Sequence, residues 1–174
     1  MTIAALPDDL VEAYLARIGA GRPSSCDAAA LTALQVAHLR TVPFENLTIH
    51  LGDEVVLDEI ALAAKIAVAR RGGFCFEMNG AFGALLASLG FAVELLEARV
   101  YGPPFLPPDQ RTLGIRYDHL CLRVDVPEGP FLADVGFGAA FAEPLRFMTD
   151  VEQSDPNGTF VLRPLDDGWI DECW

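Results

Sequence analysis

The chain has 174 residues, of which 52% are hydrophobic and 21% are charged, so it can bury a substantial core in one domain or two small ones. Its 25 acidic residues outnumber its 12 basic residues, which gives a formal net charge of -13. Such a surface repels phosphate backbones and argues against nucleic-acid binding. No cluster of Lys or Arg indicates contact with an anionic membrane surface.

The amino-terminal stretch "MTIAALPDDL" has no basic region and reaches Asp8 and Asp9 before any long apolar run, unlike a secretory signal peptide. No run of about 18 apolar residues follows, so no transmembrane helix is predicted. The four cysteines are widely spaced and form no paired motif. We therefore expect neither a disulfide framework nor a bound metal, and we expect a reducing, cytoplasmic location.

The first half of the chain predicts helices. Leu10, Tyr14, Leu15 and Ile18 recur at helical spacing, and Gly19 follows as a stop signal. Four helices are predicted, at residues 7–19, 27–40, 57–71 and 75–90. The last contains two internal glycines, each of which weakens a helix by about 1 kcal/mol relative to alanine.

From residue 91 onward the hydrophobic period becomes that of strands. In "YDHLCLRVDV", His119 lies on the strand face opposite Leu120, Leu122 and Val124. Strands are predicted at residues 91–101, 117–126 and 131–138, followed by a hairpin at 159–170 that turns at Asp167-Gly168. Because the helices precede the strands without alternation, we predict the α+β class with segregated helical and antiparallel parts.

The stretch "RRGGFCFEMN" places Cys75 directly after a pair of glycines and at the start of a predicted helix. Glycines allow a backbone course that side chains would block. The free amides and the dipole of a helix N-terminus favour a thiolate over a thiol. These features predict a nucleophile, although a free cysteine is more often a small buried hydrophobic residue.

His119 and Asp134 are the predicted partners of this cysteine. Asp134 lies fifteen residues after His119, near the end of the next predicted strand, so neighbouring antiparallel strands would bring the two side chains together. In such a triad the imidazole deprotonates the thiol and the carboxylate orients the imidazole. The alternative from spacing alone is a surface histidine and an aspartate that caps a turn.

Four motifs in this order resemble those of the arylamine N-acetyltransferase family, and the resemblance covers essentially the whole chain. They are "HLRTVPFENLTIHLG", "RGGFCFEMN", "YDHLCLRV" and "DVGFG". The resemblance implies that Cys75, His119 and Asp134 form the catalytic triad. It also implies a helical domain (residues 1–90) followed by an antiparallel β-barrel-like domain (residues 91–174), with a cysteine-protease-like catalytic core.

The activity implied by the resemblance is transfer of an acetyl group from acetyl-CoA to an arylamine, arylhydrazine or arylhydroxylamine. The reaction would be of the ping-pong type, through an acetylated Cys75. Phe44 and Phe137 are expected to line an aromatic slot for the acceptor, although core packing is the commoner role of phenylalanine. Gly136 and Gly138 match the family's glycine turn near the cofactor, but glycines after a strand also serve simply as turn residues.

Other residues in these motifs are interpreted as scaffold. Arg71 and Glu45 carry opposite charges and are hypothesised to pair beneath the nucleophile loop, the segment directly before Cys75 (residues 72–74). His38 shares a predicted helix face with leucines, so we expect a hydrogen-bonded packing residue rather than a ligand. The remaining cysteines lack a neighbouring histidine and acid and are interpreted as structural or incidental: Cys26, Cys121 and Cys173.

Members of the family are typically longer, with a third α/β domain that helps to enclose coenzyme A. We therefore expect an incomplete cofactor site, weak acetyl-CoA binding, and loss of the acetyl group to water more readily than to an amine. Two alternative functions remain at this point. One is a thiol hydrolase with the same triad, and the other is a catalytically silent fragment that acts through binding.

Overall fold

The computed structural model describes residues 3–102, 107–138, 140–165 and 168–173. Its α-helices precede the strands, which confirms the α+β prediction. The helices are α1 (Asp8–Ile18), α2 (Ala28–Thr41), α3 (Leu47–Leu51), α4 (Glu59–Ala67) and α5 (Cys75–Ser88). Within the described part of the chain, no helix is both long and apolar enough to cross a membrane.

The helix bounds follow from local signals in the sequence. The side chains of Asp27 and Asp58 each accept a 2.9 Å hydrogen bond from the backbone N–H three residues on, which caps α2 and α4. Helix α4 ends at Ala67 rather than at residue 71, and the chain leaves it through Arg70, which adopts a left-handed φ of 53°. The short helix at Leu47–Leu51 was not predicted.

The strands of the described residues form three antiparallel sheets. The largest has the order β1-β4-β5-β6, the second pairs β2 with β3, and the third has the order β7-β8-β9. The strands are β1 (Ala92–Ala98), β2 (Tyr101–Gly102), β3 (Thr112–Leu113), β4 (His119–Val126), β5 (Gly129–Ala133), β6 (Leu145–Arg146), β7 (Gln153–Asp155), β8 (Gly158–Leu165) and β9 (Gly168–Cys173).

The described strands do not close into a barrel, which corrects the barrel-like expectation. Strand β6 pairs with β5 over only two residue pairs, after which the chain enters a separate sheet, so backbone hydrogen bonding does not continue around a closed ring. The predicted hairpin is present, because Leu165 on β8 pairs with Gly168 on β9. Its predicted turn residue Asp167 lies outside the described residues.

The larger hydrophobic core joins the helices to one face of the four-stranded sheet β1-β4-β5-β6. Helix α5 supplies Phe82 and Leu85, and β4 supplies Leu122 and Val124, all of them fully buried. Burial of each such side chain contributes about 1.5–3 kcal/mol. This core holds α5 against β4, which positions the two elements that carry Cys75 and His119. Because it spans both sides of residue 90, the division into domains at 1–90 and 91–174 stays a prediction.

His38 is a buried packing residue, as predicted. Its Nε2 atom lies 3.0 Å from the hydroxyl oxygen of Tyr14, and its ring contacts that of Phe82. Burial, assisted by the positive charge of Arg17, lowers the pKa of His38 to about 3. The ring is therefore neutral in the folded protein over the whole physiological range, whereas an unfolded chain protonates it below a pH of about 6.5.

This difference predicts that stability falls in mild acid. Because the folded-state pKa is depressed, the contribution of His38 is fully present above pH 6.5 and is lost as pH falls toward 3. The free energy of unfolding should decrease by up to about 1.4 kcal/mol per pH unit in this window. Urea unfolding between pH 6.5 and 5 measures this slope, above the range in which carboxylates titrate.

His38→Gln should flatten that slope, and His50→Gln is the matched control, because His50 is the exposed histidine of α3. A slope that persists in His38→Gln but disappears in His50→Gln would contradict the assignment.

Candidate active site

Cys75 is the first residue of α5 and only 9% of its surface is exposed. The loop before it is built around the close approach of residues 43–45. Phe44 forms a parallel bridge with Gly73, whose carbonyl oxygen accepts a 2.9 Å hydrogen bond from Glu45 N–H. A Cβ on Gly72 would overlap the Pro43 carbonyl oxygen, and a Cβ on Gly73 would lie 2.7 Å from Glu77 Cβ. The glycine pair is thus required for close packing rather than for a positive φ.

Glu77 holds the start of α5 from within the protein. Its carboxylate accepts a 3.2 Å hydrogen bond from the Phe74 N–H and pairs with Lys65 Nζ at 2.5 Å. Lys65 also donates to Thr48 Oγ1 at 2.8 Å. The side chains of Lys65 and Glu77 are 17% and 4% exposed, so this ion pair is largely shielded from water. Sequence analysis missed it, although a lysine within the apolar stretch "ALAAKIA" was a usable signal.

The hypothesised pair between Arg71 and Glu45 is confirmed and is bidentate. Arg71 Nε lies 2.7 Å from Glu45 Oε1, and its second nitrogen lies 3.1 Å from Oε2. Hydrogen bonding from Arg71, opposed by partial burial, lowers the pKa of Glu45. The side chains are 37% and 13% exposed, so the pair is half-buried and links the loop at residues 43–45 to the glycine pair.

His119 and Asp134 meet as predicted. Strands β4 and β5 pair with Leu122 opposite Ala133, which brings the first residue of β4 beside the residue that follows β5. His119 Nε2 donates to Asp134 Oδ2 at 2.6 Å, and both side chains are almost fully buried. The alternative interpretation, a surface histidine and an aspartate that only caps a turn, is therefore wrong.

The protonation of His119 is set by its two neighbours. Burial by itself lowers the pKa of His119, but hydrogen bonds to Asp134 and Cys75, together with their negative charges, raise it to about 10. Since Nε2 faces Asp134, the hydrogen bond to Cys75 falls to the other ring nitrogen, Nδ1. At neutral pH the His119 ring therefore holds a proton between the Asp134 carboxylate and the Cys75 sulfur atom.

Two buried amide side chains that sequence analysis missed surround Asp134. Asn79 donates to Asp134 Oδ1 at 2.8 Å, and Gln35 accepts a 3.2 Å hydrogen bond from the Asp134 backbone N–H. The Gly136 N–H also donates to Oδ1, at 2.7 Å. The available signal for Asn79 was its place one helical turn after Cys75 in "CFEMN".

The two predicted acceptor-site phenylalanines are not core residues. Phe137 is 44% exposed, and its ring meets the His119 ring edge to face with centroids 5.1 Å apart. Phe44 is 52% exposed beside Gly73. Phe44 thus has exposed surface near the loop that precedes Cys75, and Phe137 has exposed surface near His119. Their contact with a substrate stays a prediction.

The two predicted cofactor-site glycines have different surroundings. A Cβ on Gly136 would lie 2.7 Å from Cys75 Cα and 2.8 Å from Asn79 Nδ2, so this glycine is required for packing against α5. Gly138 has a left-handed φ of 86°, and among the described residues, its chain neighbours apart, no atom lies within 4 Å of the position of a Cβ. The role of both glycines at a cofactor stays a prediction.

The other described cysteines have partners outside this arrangement: the Cys26 thiol donates to the Leu89 carbonyl oxygen, and the Cys121 thiol lies 3.9 Å from the Leu96 carbonyl oxygen. Cys26 and Cys121 have intermediate exposure, and the side chain of Cys173 lies outside the described part of the chain. Among the residues that the structure describes, no group of three His, Cys, Asp or Glu side chains is arranged to hold a metal ion.

Comparison with known proteins decides the family. Residues 27–173 match the N-acetyltransferase family. The arylamine N-acetyltransferase of Escherichia coli strain K12 is 40% identical over 160 residues, which make up 90% of this chain and 54% of that protein. The chain belongs to the arylamine N-acetyltransferase family. The resemblance noted from the four motifs is thereby confirmed.

Solved structures of arylamine N-acetyltransferases share this fold. The enzyme from Salmonella typhimurium has a TM-score of 0.84 and 38% identity, covering 95% of this chain and 58% of that chain. The Mycobacterium marinum enzyme in complex with CoA has a TM-score of 0.83 and 36% identity, covering 94% and 60%. This likeness confirms the predicted cysteine-protease-like core. The chain spans about half the length of the curated relatives that it matches.

Proposed function

We propose that this chain transfers an acetyl group from acetyl-CoA to an arylamine, arylhydrazine or arylhydroxylamine through an acetylated Cys75. The observation that carries the proposal is the contact series from Cys75 at the start of α5, through His119, to Asp134 at 2.6 Å. The family name of its relatives and the CoA-bound structure of a relative support acetyl-CoA as the cosubstrate.

In the first half-reaction the Cys75 thiolate attacks the carbonyl carbon of the thioester. A bond forms from Cys75 Sγ to the acetyl carbon, and the bond from that carbon to the sulfur of coenzyme A breaks. His119, which is protonated because its pKa is raised to about 10, delivers its proton to the departing sulfur. Asp134 holds the ring in the orientation that this transfer requires.

In the second half-reaction His119 acts as the base. It accepts the proton of the acceptor nitrogen or oxygen while that atom attacks the acetyl carbon, and Cys75 leaves as a thiolate. The thiolate and the imidazolium are thus restored together. Dividing the transfer into two substitutions at one sulfur is the general advantage of covalent catalysis.

The exposed rings support an aromatic acceptor. Phe137 offers a free face next to His119, and Phe44 offers another beside the nucleophile loop. Aromatic pairs contribute about 0.5–1.5 kcal/mol beyond the area they bury. For the cosubstrate, the space beside Gly138 among the described residues could admit part of coenzyme A. Gly136 keeps the turn that follows Asp134 close to Cys75. A cytoplasmic location and the absence of nucleic-acid or membrane partners stay predictions.

Mass spectrometry of the intact chain tests the proposal. Incubation with acetyl-CoA should add the mass of one acetyl group at Cys75, and addition of an arylamine should form the acetylated amine, in competition with the loss of the acetyl group to water that the sequence predicts. Cys75→Ser should show neither event, and Cys26→Ser should behave like the unaltered chain, because the Cys26 thiol donates to the Leu89 carbonyl oxygen, at the end of α5 opposite to Cys75. Absence of the adduct would contradict the proposal, as would acetyl loss to water with no acetylated amine when the amine is in excess.

A further inference from the structure

The side-chain amide of Asn79 forms hydrogen bonds to several segments of the candidate active site. It is fully buried on α5. Its side-chain nitrogen donates to the Leu120 carbonyl oxygen at 2.6 Å and to Asp134 Oδ1 at 2.8 Å. Its side-chain oxygen accepts from the Val135 N–H at 2.9 Å. One amide thus joins the helix of the nucleophile to the histidine strand and to the turn of the aspartate.

We infer that Asn79 is a positioning residue, which fixes the Asp134 carboxylate so that its second oxygen faces His119. This inference deepens the proposed function, on which it rests. Asn79 touches neither the acetyl group nor the acceptor in the proposed reaction. It acts through Asp134, and through Asp134 on the orientation and the proton of the His119 ring.

The spacing of Cys75 and Asn79 explains why one helix suffices. Residues four apart lie on the same face of an α-helix, about 6 Å apart along its axis. Helix α5 therefore presents the thiol to the imidazole and, one turn later, the amide to the carboxylate. Gly136 packs between them, since a Cβ there would meet both Cys75 Cα and Asn79 Nδ2. Helix α5 is thus the one rigid element that sets where the three triad residues lie relative to one another.

The hydrogen bonds of Asp134 show what the amide adds. Oδ1 accepts from Asn79 Nδ2 and from the Gly136 N–H, whereas Oδ2 binds His119 Nε2. The Gly136 bond is local, only two residues along the chain, so it does not relate the carboxylate to α5. The Asn79 bond spans 55 residues. Without it, the carboxylate loses its only side-chain partner other than His119 among the described residues.

Gln35 provides a matched control on the same aspartate. Like Asn79 it is a fully buried amide, and it also links Asp134 to a distant helix. Its oxygen accepts from the Asp134 backbone N–H at 3.2 Å, and its nitrogen donates to the Ala142 carbonyl oxygen at 3.2 Å. Gln35 therefore supports the turn but does not touch the carboxylate. A merely structural role for Asn79 would make the two residues equivalent.

The test compares Asn79→Ala with Gln35→Ala by two titrations of the folded chain. One is the pH dependence of Cys75 alkylation by iodoacetamide, and the other is the pKa of His119 measured by NMR. Among the described residues, the charged groups that act on His119 are Asp134 and Cys75. In Asn79→Ala we expect the His119 pKa to fall by at least one unit toward its ordinary value of about 6.5. In Gln35→Ala we expect it to stay within a few tenths of a unit of the unaltered chain.

Asn79→Leu keeps nearly the side-chain volume of the amide but has no donor, so it repeats the test if the alanine variant folds poorly. An unchanged His119 titration in the asparagine variants would overturn the inference. An equal shift in Gln35→Ala would also overturn it. Neither titration requires acetyl transfer. A failure of the proposed function therefore appears as a missing acetyl-enzyme, separately from a failure of this inference.

Discussion

Replacing His119 with alanine is expected to lower the rate of acetyl-enzyme formation by roughly 10²- to 10⁴-fold, the usual contribution of a positioned acid–base group. Adding Asp134→Ala to that variant should then cost little more. Asp134 acts only by orienting and charging the ring that has been removed, and residues that act as one unit show strongly non-additive losses. Release of free coenzyme A in a single turnover measures both variants.

Cys75→Ser is the control for this series. It should keep the fold and abolish acetyl transfer, because an alcohol is far less ionised than a thiol at neutral pH. Thermal unfolding of every variant separates lost chemistry from lost structure. If the losses in the His119 and Asp134 variants multiplied independently, Asp134 would be supporting the turn rather than acting through His119. Turnover by Cys75→Ser equal to that of the unaltered chain would exclude Cys75 as the nucleophile.

Lys65→Met is expected to destabilise the protein by about 3–5 kcal/mol, because it leaves the Glu77 carboxylate buried without its cation. Glu77 is 4% exposed and lies at the start of α5, where it accepts from the Phe74 N–H. The loss should therefore include local disorder at Cys75, visible as faster hydrogen exchange in the first turn of α5. Urea unfolding at pH 7 measures the change in free energy.

Glu45→Gln is the matched control, because it breaks the second ion pair of the nucleophile loop, whose arginine is 37% exposed. Its effect on the midpoint of unfolding should be clearly smaller, since water can solvate the freed guanidinium. Lys65→Met combined with Glu77→Gln should be less destabilised than the sum of the single variants. Equal effects of Lys65→Met and Glu45→Gln would show that the Lys65–Glu77 pair is no better shielded than the outer pair.

Much of the candidate site was accessible from local pattern. The start of α5 at Cys75 followed from the glycine pair and the apolar run after it, and the alternation around His119 predicted β4. The antiparallel connection of β4 to β5 then predicted the contact between His119 and Asp134. Signals of this kind act over a few residues or between neighbouring strands, so helix spacing, strand alternation and turn residues are enough to predict them.

By itself, the sequence therefore predicted the α+β class, the order of helices before strands, and Cys75, His119 and Asp134 as a triad, whose catalytic role stays a prediction. The tertiary structure alone decided what holds these three residues in place. Asn79 and Gln35 reach Asp134 across 55 and 99 residues, and Lys65 reaches Glu77 from a different helix. It also decided that the described strands form three sheets instead of a barrel. Contacts between distant segments depend on how whole elements pack around a shared core, and no periodicity along the chain encodes that packing.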